Sequence, residues 1–302
     1  MAVELRWIEL HRAIGGAKPD GGLLRRWKLP HQPVRQGATD SMEKRQTYLW
    51  RIFVTGTCFV LFGLSGLILG LFVFPATLLL PGGAVRRRAR TRALVQRAFR
   101  LFVGTMSGLG GVSYEFTGTE RLGRPGQLII ANHPTLVDVV FIVAFTPAPA
   151  CVVKAAIFSN PFTRWVVQAA GYIRNAPTHT MIEQATLALR SGDTLIMFPE
   201  GTRTRPGQPR HFHRGAASIA AQAAAVLTPV YISVDQPLLH KSQPWYRVPR
   251  RRPHLSLSVG EDIDLAPYRD MPPPRASRQL NAWLLAHYEA ESGLATVYNE
   301  GQ

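Results

Sequence analysis

The 29 consecutive positions from Ile52 to Leu80 carry no charged residue, and no other feature of the 302-residue chain limits its fold as strongly. As a single helix the run would reach about 43 Å at 1.5 Å per residue, against a bilayer hydrocarbon core of about 30 Å. It is too long for one upright span and too short for two spans of about 20 residues each. Gly56, Gly63, Gly66, Gly70 and Pro75 interrupt it, so a tilted span and a re-entrant hairpin broken near its middle both fit. Lys44, Arg45 and Arg51 precede the run, and seven arginines with no acid follow it between Arg86 and Arg100. Basic flanks prefer the cytoplasmic side, which keeps both ends inside and favours the hairpin. No small-residue cleavage site follows the run, so a cleaved signal peptide does not fit. The competing reading is a buried core hairpin.

The arginine segment has a helical period of its own. At 100° per residue Leu94, Val95, Ala98, Phe99, Leu101 and Phe102 share one face, opposite Arg92, Gln96, Arg97 and Arg100. That is the pattern of an interfacial helix lying on anionic lipid. The formal net charge of +16 calls for an anionic partner, and lipids, nucleic acids and acidic carrier proteins all qualify. No zinc finger, helix-turn-helix or aromatic sheet motif accompanies the arginines, so a membrane surface is expected and nucleic acid is not. The two cysteines, Cys58 and Cys151, allow no disulfide framework and no cysteine-based zinc site, which favours a reducing compartment.

These features divide the chain into an appendage rich in Gly and Pro (1–48, helical only over 3–14), a membrane anchor with its basic helix (49–104) and a folded domain (105–302). In the last part short apolar runs alternate with helical stretches. Strands are expected at 113–117, 128–131, 150–154, 194–198, 230–234 and 255–259. Helices are expected at 134–145, 161–170, 181–190, 216–226 and 277–288. The alternation predicts an α/β fold, a mostly parallel mixed sheet flanked by helices. In such sheets ligands gather beyond the carboxyl ends of the strands.

Two loops occupy that position. The first is Asn132-His133-Pro134-Thr135-Leu136-Val137-Asp138. Pro134 suits the first position of a helix, which leaves His133 at the cap. Residues five apart on one regular helix point about 140° apart, so His133 and Asp138 meet only if His133 stands in the turn. Its ring then folds back to donate Nδ1–H to the carboxylate, an oriented base. The second loop is Phe198-Pro199-Glu200-Gly201-Thr202-Arg203-Thr204-Arg205. Gly201 lets backbone approach a ligand, and Arg203 and Arg205 offer forked donors suited to phosphate.

The pair Asn132-His133-x4-Asp138 and Phe198-Pro199-Glu200-Gly201-Thr202-Arg203, with Gly215-Ala216-Ala217 and Pro229-Val230 beyond them, resembles the glycerolipid acyltransferases typified by bacterial 1-acylglycerol-3-phosphate acyltransferase. The resemblance covers about Gly110 to Val234. It implies transfer of a fatty acyl group from an acyl-CoA or acyl carrier protein thioester to a lipid hydroxyl, with that of lysophosphatidic acid as the expected acceptor. The thioester is a co-substrate, and neither cofactor nor metal is implied. His133 and Asp138 take the catalytic roles. Asn132, Lys154, Arg174, Glu200, Gly201, Thr202 and Arg203 correspond to substrate-binding or loop-ordering positions. The implied location is the cytoplasmic face of a bacterial inner membrane. One departure stands out: the family's further arginine follows a glycine and a hydrophobic strand by a few residues, whereas Gly171-Tyr172-Ile173-Arg174 brings Arg174 early. A non-glycerophosphate acceptor is therefore an alternative, as are a thioesterase using water and a non-catalytic basic protein.

His211 and His213 would share one face of a strand, but no clear third ligand stands near and Arg210 and Arg214 repel a cation, so no metal is expected. Ser218 lies in a small-residue helix rather than on a nucleophile elbow.

Overall fold

The computed structural model describes residues 48–175, 179–204, 209–241 and 243–293. The helix expected at 3–14, the lysine and arginine at 44–45 and the turn at 205–207 lie outside the described residues. Helix α1 (Tyr48–Ile68) runs through a π turn (Leu69–Val73) into α2 (Phe74–Leu78). The junction residues Ile68 and Val73 keep right-handed helical torsions. The apolar run is therefore one helix, and the expected break near its middle is absent. A π turn ahead of Pro75 absorbs the register change that the missing N–H imposes. The chain reverses only after the run, at 81–83, and α3 (Ala84–Gly108) returns beside it. A hairpin does form, but its second arm is the arginine helix.

Tyr48–Thr77 is long and apolar enough to cross a membrane, and only 17% of its most apolar window is buried, which excludes a core hairpin. The expectation for α3 is corrected in the other direction. Most of its apolar face packs on protein: Val95, Val103 and Met106 are buried, and Phe99 and Phe102 meet Phe62 of α1 at 5.8 and 5.5 Å between ring centroids, while Leu101 stays exposed. Arg92, expected on the solvated face, is buried. It donates from Nε to the Ala170 carbonyl (2.9 Å) and pairs with Asp193 (2.8 Å).

Beyond the hairpin the elements are β1 (Ser113–Thr117), β2 (Gln127–Ala131), α4 (Asp138–Phe145), β3 (Ala150–Lys154), α5 (Ala155–Ser159), α6 (Arg164–Ala169), β4 (Ile173–Asn175), α7 (His179–Arg190), β5 (Leu195–Met197), α8 (Gly215–Ala223), β6 (Val226–Val234), β7 (His254–Val259), α9 (Ala266–Arg269) and α10 (Pro273–Gly293). The sheet order is β1-β7-β6-β2-β5-β3-β4. Every pairing is parallel except β6 with β7. Central strand β2 is buried throughout and feeds both layers by alternation. Ile129 and Ala131 join α3 and α4 on one face, and Leu128 and Ile130 join α7, α8 and α10 on the other.

The five neighbouring parallel strands β6, β2, β5, β3 and β4 all end at the same edge. The loops after Val234, Ala131, Met197, Lys154 and Asn175 therefore converge there.

Candidate active site

Helix α4 begins at Asp138, not at Pro134, so residues 133–137 form a turn between β2 and the helix. The difference has a local cause. The Asp138 carboxylate reaches back over the turn and accepts Thr135 N–H (2.7 Å) and Thr135 Oγ1–H. These bonds satisfy donors that a proline-led first turn would have left to solvent. His133 Nδ1 lies 2.9 Å from Asp138 Oδ2, and the His133 ring rests on Phe198 at 4.5 Å. Asp138 is fully buried. With Nδ1 engaged on the carboxylate, the Nε2 of a neutral imidazole is the acceptor.

The neighbouring motif residues lock this geometry. Asn132 donates from Nδ2 to the Ile232 carbonyl (2.7 Å), and its Oδ1 accepts Ile232 N–H (2.8 Å), so the amide pins the histidine loop to β6. Glu200, also buried, accepts His133 N–H through Oε1 (3.1 Å) and the Thr204 hydroxyl through Oε2. Thr204 N–H in turn donates to the His133 carbonyl (2.8 Å). Gly201 holds φ +62°, and a Cβ there would meet the His213 ring at 3.1 Å. The His211 and His213 rings pack edge to face at 5.0 Å, in a loop rather than on a strand.

Lys154 Nζ reaches Thr202 Oγ1 at 3.4 Å. Burial lowers the Lys154 pKa, and the charges of Arg203 and Lys241 lower it further. Three cations thus share one corner. Arg203 donates from Nη1 to the carbonyls of Leu239 (2.6 Å) and His240 (3.3 Å), bracing the loop after β6. Leu239 carries φ +47°, a strained conformation for a non-glycine residue. Arg174 stacks over the Phe158 ring at 4.8 Å. Strand alternation turns its neighbour Asn175 to Gly201 instead.

Lys241 and His240 were not legible as site residues because nothing in their local sequence marks them. His240 is 8% exposed with neither ring nitrogen hydrogen-bonded. Burial lowers its pKa, and Arg203 does too, while Asp138 opposes the shift. Its backbone carbonyl is tied to the second motif loop through Arg203.

The site is a His133–Asp138 pair held on a two-loop frame, with cations to one side. The acyltransferase family model matches residues 113–233, about two-fifths of the chain. Among its relatives, 1-acyl-sn-glycerol-3-phosphate acyltransferase of Pseudomonas aeruginosa is 27% identical over 155 residues, covering 49% of this chain and 60% of that protein. The enzyme of the same name from Borreliella burgdorferi is 30% identical over 129 residues, 40% of this chain and 52% of that one. Lyso-ornithine lipid O-acyltransferase of P. aeruginosa is 32% identical over 114 residues, 36% of this chain and 44% of that protein. The chain thus spans about half to three-fifths of the length of the first two. The crystal structure of the 1-acyl-sn-glycerophosphate acyltransferase PlsC from Thermotoga maritima superposes with a TM-score of 0.62 at 18% identity, over 83% of this chain and all of that one. The two share a fold.

Proposed function

We propose that the chain transfers a fatty acyl group from an acyl-CoA or acyl carrier protein thioester to the free hydroxyl of lysophosphatidic acid. The observation that carries this reading is the 2.9 Å contact between His133 Nδ1 and Asp138. His133 Nε2 takes the acceptor's hydroxyl proton as its oxygen attacks the thioester carbonyl. The C–S bond then breaks, and the leaving thiolate recovers the proton from His133. Asp138 stabilises the imidazolium in between. No acyl-enzyme forms. Lys154, Arg203 and Lys241 supply charge for the acceptor phosphate, and Asn132, Glu200, Gly201 and Thr202 hold the frame. The names of the relatives support the acceptor.

A second acceptor class, a lyso-lipid without glycerophosphate, is favoured by one observation: the Arg203 Nη1 is spent on two carbonyls, and Arg174 stacks on Phe158. The test is to incubate the full chain with acyl-CoA or acyl-ACP and paired acceptors, lysophosphatidic acid and a lyso-lipid lacking phosphate, and identify products by mass spectrometry. Acylated lysophosphatidic acid as main product supports the first reading, and exclusive acylation of the other overturns it. Free fatty acid alone would make the protein a thioesterase.

Membrane attachment at the cytoplasmic face is part of the same proposal. The apolar helix touches the domain along its whole length. Tyr48 bonds the Tyr246 carbonyl, Trp50 the Leu109 carbonyl, Gly56 faces Trp245, and Gly70 faces Trp165. The domain therefore sits against lipid with its half-exposed Phe162, Trp165, Trp245 and Tyr246, the residue types of a membrane interface. Protease protection that puts the domain on the outer side would overturn this topology.

A further inference from the structure

A groove of about 360 Å³ opens where the two arms of the hairpin meet α6, floored by Gly70, Phe74, Trp165 and Ala169 and edged by Arg87 and Arg88. That volume lies within the range of small-molecule pockets. The π turn shapes it: a Cβ on Gly70 would stand 2.9 Å from the Trp165 Cβ, so glycine lets the helix close on α6 while the widened turn leaves space beside it. π turns often mark functional sites.

The charges at the lip have no ion-pair partner among the described residues: no carboxylate pairs with Arg87 or Arg88. The Arg88 stem lies along Gly171, where an added Cβ would meet its Cδ at 3.1 Å, so its position is fixed by the domain. Elsewhere on the same hairpin the chain exposes Phe72 (68%), Leu79 (87%) and Val85 (81%). A soluble anion has no use for an apolar floor, and a neutral acyl chain has none for two guanidinium groups. A molecule carrying both an anionic phosphodiester and a hydrocarbon chain satisfies both.

The groove is also remote from the chemistry. Gly171 and Asp193, the neighbours of Arg88 and Arg92, precede β4 and β5. The groove therefore lies toward the amino-terminal edge of the parallel strands, opposite the loops that carry His133 and Glu200.

We propose that this groove binds one anionic phospholipid of the bilayer, its phosphate between Arg87 and Arg88 and one acyl chain against Phe74 and Trp165, tying the hairpin to the domain. The proposal rests on membrane attachment but not on the acyltransfer reading, and His133→Ala should leave it untouched.

The test uses the full chain reconstituted in phosphatidylcholine vesicles containing phosphatidylglycerol, re-extracted in mild detergent and weighed intact by native mass spectrometry. Wild type should keep one phosphatidylglycerol. The R87Q/R88Q variant should keep it about 10-fold less, in line with losing charge-assisted hydrogen bonds. R97Q/R100Q, which removes equal charge farther along the same helix, should keep it like wild type. Ala169→Trp should lose it with both arginines in place. Equal loss from the two arginine pairs would reduce the effect to general surface charge and overturn the site. Retention of no lipid by wild type would overturn it too, as would full displacement by glycerol phosphate, which would mark a simple anion site.

Discussion

Glu200 accepts the backbone N–H of His133 through Oε1 at 3.1 Å, so the second motif loop fixes the position of the first. Removing the carboxylate leaves that N–H and the Thr204 hydroxyl without acceptors in a buried place, a cost of about 1–3 kcal/mol per group. Glu200→Ala should lower kcat by about 10- to 100-fold with a smaller change in KM. Glu200→Gln keeps one acceptor oxygen and should recover part of the loss. Steady-state kinetics of the two variants side by side checks this, and a pure KM effect would assign Glu200 to substrate binding instead.

His133→Ala should reduce transfer by at least about 100-fold without changing the far-UV circular dichroism, because a positioned base contributes about 10²–10⁴-fold. Asp138→Asn should be nearly as damaging. Near-normal turnover by either variant would remove the base pair.

Arg203 and Lys154 should separate. Arg203→Ala loses the brace on Leu239 and His240, so kcat/KM should fall about 10-fold or more, and the 235–243 loop should become open to proteolysis. Lys154→Ala should raise KM for a phosphate-bearing acceptor and leave the loop resistant. If Arg203→Ala raised KM for lysophosphatidic acid alone with the loop still resistant, Arg203 would serve the phosphate only and not brace the loop.

The pH dependence of stability has a defined sign. Burial lowers the His240 and His287 pKa values in the folded state, below the unperturbed value of about 6.5. The unfolded state therefore binds more protons between these values, and their contribution is present above about pH 6.5 and lost as pH falls through the folded values. Urea unfolding midpoints should drop on acidification from pH 7 toward 5, and His240→Gln should flatten part of that drop. An unchanged slope would mean that the His240 ring stays accessible to protons in the fold.

Six of the seven described strands, all but β4, and most of the longer helices of the domain could be read from local runs because each is decided by period and by its own turn residues. Leu195–Met197 and Ser113–Thr117 are examples. The His133–Asp138 contact was legible as well, since five residues and one proline constrain it geometrically. What the sequence hid was long-range. Whether Val95 and Phe99 face lipid or protein depends on partners dozens of residues away, and amphipathic period is the same in both cases. The start of α4 depended on Asp138 reaching back to Thr135, a side-chain bond that outcompetes the proline signal. His240 and Lys241 reach the site only because β6 lies beside β2, which no local pattern encodes.

The buried Arg92 has a consequence for how the protein is made. Its partners, Ala170 and Asp193, emerge from the ribosome long after it, and at about 5–20 residues per second the hairpin waits several seconds for the surface it packs on. During that interval an unpaired guanidinium and an uncovered apolar helix leave the exit tunnel together. The nascent chain therefore exposes both before the surface that covers Arg92 has been made.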